Sequence, residues 1–490
     1  MAEAPDGAVS ENGAVYRRHR PEDTLLYQII AEHYPIFAEL MRAQGRPLPG
    51  FVQREFEDYL KCGRLEYGFL RVRCATCHAE KLVAFSRKRR GFCPSCGARR
   101  MVDTAALLVD DVLPPVPIRQ WVLSIPFPLR FLFAREPAVM SAVLGIVIRA
   151  IETHLVARAG YTRTRAQTGA VTLIQRFGSA LNLNIHFHML FLDGVYAMAG
   201  RRPHFVPLPA PTPTALQALL ERITHRVGRH LERRGLLLRD AESAYLQWDD
   251  GDAGPLDELV GAAVTYRIAV GPQRGQKAFT LQTLPPAPVD EEEKDNVART
   301  GGFSLHAGIA AKPFQRAKLE RLCRYVARPA VVTERLSLTR QGTIRVALKT
   351  PYRDGTTHVV FQPLDFIARL AALVPRPRVN LTRFHGVFAP NSRYRARITP
   401  AARGRQGKGD PAPTQPQKRQ AMTWAQRLKR VFRIDIETCE HCGGAVRVIA
   451  SIEDPVVIEK ILAHIERREA AGASPHAPRA PPASSGRDPP

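Results

Sequence analysis

Two histidines separated by one apolar residue, His186-Phe187-His188, lie in a stretch where polar and apolar residues alternate. Successive side chains of a β-strand point to opposite faces, so both imidazoles would share one face with Asn182 and Asn184. Packing alone gives little reason to place two imidazoles side by side on a strand. The pattern therefore predicts a divalent metal site, and the alternative is a half-exposed strand with two solvated histidines.

A second strand, Val171 to Phe177, precedes the histidines, and Gly178-Ser179-Ala180 suits a turn between the two strands. The strands are predicted to be antiparallel neighbours, which makes Gln175 the candidate third metal ligand. Its orientation depends on the register, because a slip of one residue reverses every side chain of a strand. Sequence alone leaves that register open.

Two C-x-x-C pairs, separated by fifteen residues, lie in the first hundred residues. This spacing is typical of a zinc ion held by four thiolates. The predicted ligands are Cys74, Cys77, Cys93 and Cys96. Each pair needs a tight turn, which Gly97 would ease in the second one.

A third pair, Cys439 and Cys442, supplies only half of a tetrahedral site. Cys62, Cys323 or a histidine would have to complete it. Zinc binding by this C-terminal module is therefore left open.

The segment between the first two pairs is rich in basic residues with aromatic neighbours, Phe85 and Phe92. Such a composition suits phosphate contacts together with base stacking, and the alternative is a solvated loop on a structural zinc ribbon. The candidate DNA contacts are Arg87, Lys88, Arg89 and Arg90.

The overall composition favours a polyanionic partner. Among 490 residues, 71 Lys and Arg face 46 Asp and Glu, which gives a formal net charge of +25. Nucleic acid is the commonest partner of so basic a chain. A membrane surface is the weaker alternative, because the longest apolar run, Val139 to Ile148, is too short to span a bilayer. No secretory signal is visible at the N-terminus, so a cytoplasmic protein is expected.

The histidine stretch also resembles a known family. From Ile174 the chain reads IQRFGSALNLN, one further residue, HFH and, three residues later, LDGVY. This is similar to the rolling-circle transposases of the insertion-sequence-ninety-one class, which are HUH single-strand endonucleases. Similarity extends from about Leu60 to about His464. It implies an N-terminal zinc-binding domain. A Mg²⁺ or Mn²⁺ ion held by His186, His188 and a third polar ligand, for which Gln175 is the candidate, would polarise a scissile phosphate.

The same resemblance identifies a nucleophile. The segment RYVARP matches the family's nucleophile segment at Tyr325, which by its helical position alone would be an ordinary packing residue. Arg321 stands where many relatives have an earlier tyrosine, so the chain resembles the single-tyrosine branch. Arg321 and Arg324 are candidate DNA contacts. The implied reaction joins Tyr325 to a 5′-phosphate of single-stranded DNA at the ends of a mobile element in the bacterial nucleoid, and a homo-oligomer is left open.

The order of predicted elements indicates an α+β fold, with an HUH-type antiparallel sheet flanked by helices and preceded by a zinc-ribbon-like domain. The predicted segments are 1–20 disordered, 21–113 helical and zinc-binding, 114–400 nuclease, 401–421 linker, 422–466 C-terminal module and 467–490 disordered tail.

Two other functions remain open from sequence. A rolling-circle replication initiator would share the histidine and tyrosine chemistry. A non-enzymatic zinc-finger DNA-binding protein would explain the charge and the cysteines but leave the histidine strand without a role.

Overall fold

The computed structural model describes residues 14–15, 20–198, 203–240, 244–247, 254–286, 297–402, 423–432 and 434–470. Most of the predicted disordered ends and linker lie outside these described residues. The helices are α1 (Leu25–Ala43), α2 (Gly50–Lys61), α3 (Pro94–Ala106), α4 (Phe127–Arg135), α5 (Pro137–Arg158), α6 (Pro213–Arg233), α7 (Asp257–Val264), α8 (Arg316–Val326), α9 (Pro363–Leu373), α10 (Arg395–Ile398), α11 (Trp424–Phe432) and α12 (Pro455–Ala470).

Within the described residues, the strands form six separate sheets. They are β1 (Ala14–Val15), β2 (Phe69–Cys74), β3 (Glu80–Ala84), β4 (Ile118–Ser124), β5 (Ala166–Gln167), β6 (Gly169–Phe177), β7 (Leu183–Leu192), β8 (Gly194–Ala197), β9 (His204–Pro207), β10 (Leu237–Arg239), β11 (Ala244–Leu246), β12 (Phe279–Gln282), β13 (Val297–Thr300), β14 (Phe303–Ala311), β15 (Leu336–Leu338), β16 (Ile344–Ala347), β17 (Thr356–Phe361), β18 (Thr382–Gly386), β19 (Ile434–Asp435) and β20 (Val446–Ile452).

Two compact units interleave along the chain. The small unit comprises Met1–Asp23, Lys61–Arg87 and Met422–Pro490, and the large unit comprises Thr24–Leu60 and Lys88–Ala421. The sequence suggested consecutive domains, whereas residue contacts group the two ends of the chain in one unit. Local patterns do not report such long-range pairing, because it depends on which distant strands find each other.

The large unit is built on a six-stranded sheet with the order β13-β14-β4-β7-β6-β18. Every neighbouring pair in it is antiparallel, as predicted. Helices cover both faces. On one face Phe187 of β7 stacks on Phe133 of α4, with ring centroids 6.5 Å apart. On the other face Leu173 of β6 joins a buried cluster with Leu319 and Leu322 of α8.

A second, four-stranded sheet of the large unit has the order β12-β17-β16-β15. Strands β16 and β17 form an antiparallel hairpin, and α9 follows directly. Asp354 accepts a hydrogen bond from the Thr356 N–H at 2.9 Å and so stabilises the Asp354-Gly355 turn.

Two helices of the large unit have unusual sequences. Helix α1 continues through Pro35, although proline usually interrupts a helix because it lacks a backbone N–H. Helix α3 begins at Pro94, and the Cys93 sulfur caps it by accepting a hydrogen bond from the Cys96 N–H at 3.5 Å. Gly97 lies in this helix rather than in a turn. An added Cβ there would lie 2.6 Å from Pro329 Cβ, so close packing explains the glycine.

The small unit contains the three-stranded antiparallel sheet β20-β2-β3. Strand β2 is central and pairs β20 from the far end of the chain, with Cys74 opposite Val446. Helix α12 packs beside the short helical turn Leu65–Tyr67. A parallel bridge between β1 and β19 adds a second link between the two chain ends.

Helix α5 is longer than the apolar run that sequence analysis singled out. Its 22 residues are sufficient by length and composition to cross a bilayer. Of its most apolar 18-residue segment, 56% is buried inside the protein. It packs on α4 and α6, and Val143, Val147 and Ile151 are fully buried. A buried core helix meets the same length criterion, so this helix is weak evidence for a membrane span.

Candidate functional site

The register between β6 and β7 places Gln175 directly opposite His186. Directly paired residues of neighbouring antiparallel strands project on the same face, so Gln175 lies beside both histidines. Gln175 and His188 are buried, and His186 is partly buried. The three predicted metal ligands therefore converge on one face of the central sheet.

The two imidazole rings lie side by side, with centroids 4.8 Å apart. His186 Nδ1 is 2.8 Å from the backbone carbonyl oxygen of Asn184. A carbonyl only accepts hydrogen bonds, so Nδ1 carries the proton and donates it. In the neutral ring this leaves the Nε2 lone pair available, which is the tautomer that binds a metal through Nε2.

His188 is held by a residue that sequence analysis did not single out. The side-chain amide of Gln120, on β4, lies 2.7 Å from His188 Nδ1. Among the described residues, Gln120 Oε1, Gln175 Oε1 and His188 Nε2 are buried without a hydrogen-bond partner. Turning the Gln120 amide by 180° would bring Oε1 to Nδ1, and His188 would then adopt the same tautomer as His186.

Burial keeps both imidazoles neutral at physiological pH. Desolvation, followed by nearby arginines that include Arg328, lowers the pKa of His186 to about 4. Desolvation, followed by His186, lowers the pKa of His188 well below its ordinary value. The charged imidazolium is thus disfavoured, and the neutral ring is the form able to bind a metal.

Tyr325 reaches this site from α8. The inner side of this helix is buried, and its buried residues are Leu319, Leu322, Cys323 and Val326. Tyr325 beside them is 40% exposed, and its ring centroid lies 6.2 Å from that of His188. Gln175 Nε2 donates to the Val326 carbonyl oxygen at 3.1 Å and so connects β6 to the end of this helix.

Two cations flank the tyrosine ring. The Arg328 guanidinium carbon lies 4.3 Å from the ring centroid and Lys349 Nζ lies 4.2 Å from it. Lys349 is exposed in the loop that connects β16 to β17. No spacing rule relates Lys349 to Tyr325, so the sequence held no signal for this neighbour.

The LDGVY segment has a structural role. Asp193 accepts two hydrogen bonds from the Arg119 guanidinium, at 2.8 and 2.7 Å, in a buried bidentate ion pair. An added Cβ at Gly194 would lie 2.3 Å from the Val206 carbonyl oxygen. Both residues thus hold β7 and β8 against their neighbours.

In the small unit, the first cysteine pair meets the last one. The sulfur atoms of Cys74 and Cys442 are 3.5 Å apart, and those of Cys77 and Cys439 are 3.6 Å apart. All four sulfurs lie within 4.8 Å of one another. The backbone N–H of Cys77, with that of Thr76, lowers the pKa of Cys74 to about 6, which favours its thiolate.

This grouping differs from the ligand set that spacing predicted. Cys93 and Cys96 belong to the large unit, where they are buried at the start of α3. Cys323, a suggested partner of the C-terminal pair, lies in the apolar cluster beneath α8, where burial raises its pKa to about 12.

Two family models match parts of this chain. Residues 169–395, which contain Gln175, both histidines and Tyr325, match the family model described as "Putative transposase" (Y2_Tnp). Residues 29–125 match a model described as "Transposase zinc-binding domain" (Zn_Tnp_IS91). The chain belongs to the transposases of the insertion-sequence-ninety-one class. No match was found among curated proteins or among solved structures.

Membership makes this transposase a DNA-acting protein with a zinc-binding domain. Its predicted DNA contacts occupy different settings. Arg321 is exposed and Arg324 half-buried on α8. Arg89 forms an ion pair with Asp58, and Arg90 donates to the Val379 carbonyl oxygen.

Arg87 and Lys88 belong to the same basic loop. Arg87 and Lys88 are exposed, and the Arg87 guanidinium lies 6.0 Å from the centroid of the Tyr67 ring. DNA contact by this loop stays a prediction.

Proposed function

We propose that this transposase nicks and rejoins single-stranded DNA at the ends of a mobile element through a 5′-phosphotyrosine intermediate, as in rolling-circle transposition. The observation that carries this proposal is the position of Tyr325, exposed and 6.2 Å between ring centroids from a buried histidine whose Nε2 has no partner among the described residues. Metal-assisted phosphoryl transfer needs a nucleophile beside side-chain atoms that are available to bind a metal ion.

The residues fit a divalent cation. His186 and His188 would each offer an Nε2 lone pair, and Gln175 would offer Oε1, which is buried without a partner among the described residues. Three protein ligands leave positions for water and a phosphate oxygen, which suits Mg²⁺ or Mn²⁺. When bound, such an ion polarises the scissile phosphate and offsets its developing negative charge.

Tyr325 performs the bond exchange. Its hydroxyl oxygen attacks phosphorus and loses its proton, the new O–P bond forms, and the bond from phosphorus to the 3′ oxygen breaks. The released 3′ oxygen takes up a proton and becomes a hydroxyl. Arg328 and Lys349, beside the ring, stabilise the negative charge that develops on the tyrosine oxygen. The reverse attack by a 3′-hydroxyl rejoins DNA without an external energy source.

A labelled single-stranded oligonucleotide from an element end tests the proposal. Incubation with protein and Mn²⁺ or Mg²⁺ should yield a shorter labelled strand and a protein–DNA adduct that survives denaturing electrophoresis. Peptide mass spectrometry should locate the nucleotide on Tyr325. Binding without any adduct would contradict the proposal and favour a non-enzymatic DNA-binding protein.

Gln120 is expected to position His188 for metal binding. Gln120→Leu removes the hydrogen-bond partner of His188 Nδ1. Loss of a residue that orients a metal-binding histidine typically weakens metal affinity about 10- to 100-fold, and the same loss of Mn²⁺ affinity is expected here. Gln120→Glu retains an acceptor for the Nδ1 proton and should bind Mn²⁺ at least as tightly as wild type. Titration calorimetry without DNA measures both affinities. Equal affinity in Gln120→Leu and wild type would show that Gln120 only fills space.

Arg321 and Arg324 are expected to contact the phosphates of the single strand beside Tyr325. Arg321→Gln/Arg324→Gln should flatten the slope of log affinity against log salt by roughly 1.4, at roughly 0.7 per lost contact. Fluorescence anisotropy at several salt concentrations measures the slope. Arg222→Gln, an exposed site on α6, is the matched control and should leave it unchanged. An unchanged slope in the double variant would remove both arginines from the DNA path.

A further inference from the structure

We propose that one zinc ion is held by two cysteines from each end of the chain, Cys74 and Cys77 with Cys439 and Cys442. The match to the zinc-binding domain ends at residue 125, so it does not include Cys439 and Cys442. The C-terminal module would then be the second half of a zinc site that the N-terminal half cannot complete alone.

The positions of the sulfurs fit a tetrahedral zinc ion. A Zn–S bond of about 2.3 Å places sulfurs about 3.8 Å apart in a regular tetrahedron. The separations of 3.5 Å between Cys74 and Cys442 and 3.6 Å between Cys77 and Cys439 are close to that value. They are far longer than a disulfide bond of about 2.05 Å. Side-chain packing alone would not explain why four thiols converge on one point, whereas a bound zinc ion does.

Both cysteine pairs lie in tight turns that are built against each other. Gly443 has φ +71° and donates its N–H to the Cys439 carbonyl oxygen at 2.9 Å. An added Cβ at Gly444 would lie 2.4 Å from Thr76 Oγ1 and 3.1 Å from the Cys74 sulfur. The two consecutive glycines thus allow the C-terminal turn to form and to approach the N-terminal one.

A backbone hydrogen bond and an ion pair also join the N-terminal and C-terminal turns. The Ala75 N–H donates to the Ala445 carbonyl oxygen at 2.8 Å, directly between the two turns. Lys81 on β3 forms an ion pair with Glu440, which lies between the two C-terminal cysteines. The register between β2 and β20 therefore places the two cysteine turns next to each other.

The C-terminal module depends on this site for its order. Strand β20 is mostly exposed, and its sheet partner among the described residues is β2. A strand with so little buried surface gains little from the hydrophobic effect. A metal shared between the two halves supplies the missing stabilisation, since binding of a structural zinc is coupled to folding.

Residue-resolved alkylation of the full-length wild-type protein tests the proposal. Cys77 and Cys442 are exposed, so without zinc both thiols are accessible to iodoacetamide. With zinc bound, both should be protected, and a chelator should expose all four cysteines to alkylation together. Rapid alkylation of Cys77 and Cys442 in the zinc-loaded protein would overturn the proposal.

Three variants separate this ligand set from the one that spacing predicted. Cys439→Ser/Cys442→Ser should lose protection of Cys77 without a chelator, whereas Cys93→Ser should retain it. Cys442→His supplies another zinc ligand and should restore most of the protection of Cys77, which a fold-disrupting change would not do. Protection of Cys77 that survives in the double variant but is lost in Cys93→Ser would assign the zinc to the first two pairs instead.

Discussion

Replacing Tyr325 by phenylalanine is expected to abolish strand cleavage and the covalent adduct together. The variant lacks the only atom of this side chain that can attack phosphorus, so cleavage should fall by a factor on the order of 10⁴ or more. The ring, and with it the contacts to Arg328 and Lys349, remains. Because Tyr325 is 40% exposed, the free energy of unfolding should change by no more than about 0.5 kcal/mol.

Single-strand binding by Tyr325→Phe should persist, because stacking and phosphate contacts do not need the hydroxyl. Gel analysis of cleavage and anisotropy of binding, in the same buffer, separate the two effects. Tyr161 is 37% exposed and provides a matched control, since Tyr161→Phe should cleave normally. An adduct that persists in Tyr325→Phe would place the nucleophile elsewhere, with Tyr266 and Tyr352 the next tyrosines to test.

The double change His186→Ala/His188→Ala is expected to remove both metal binding and cleavage. Two of three protein ligands are lost, so excess Mn²⁺ should not restore activity. Gln175→Ala removes a single weak ligand that water can replace, and its milder defect should be rescued by Mn²⁺. Calorimetry with Mn²⁺ in the absence of DNA measures binding independently of the reaction.

Thermal unfolding provides the control for the histidine variants. Wild type should be stabilised by added Mn²⁺ because an ion that binds only the folded state raises its stability. The double variant should show no such shift while still binding single-stranded DNA. Cleavage by the double variant at the wild-type rate would show that the histidines hold no catalytic metal.

Local patterns in the sequence were sufficient to predict the two strands that carry the histidines and Gln175. The alternation around His186 predicted a strand with both imidazoles on one face, and β7 is that strand. The turn at Gly178 predicted antiparallel pairing with β6. Side-chain periodicity and turn chemistry are properties of a few adjacent residues, so they can be read without knowledge of the fold.

Tertiary structure alone decided which residues meet. The register of β6 against β7 places Gln175 beside His186, and the neighbouring β4 contributes Gln120. Tyr325 joins them from a helix more than a hundred residues away in sequence. Cys77 meets Cys439 across a separation of 362 residues, because β2 pairs β20. Spacing rules favour the cysteine pair that is nearest in sequence, Cys93 and Cys96. Strand pairing between distant segments instead brings Cys439 and Cys442 to the first pair.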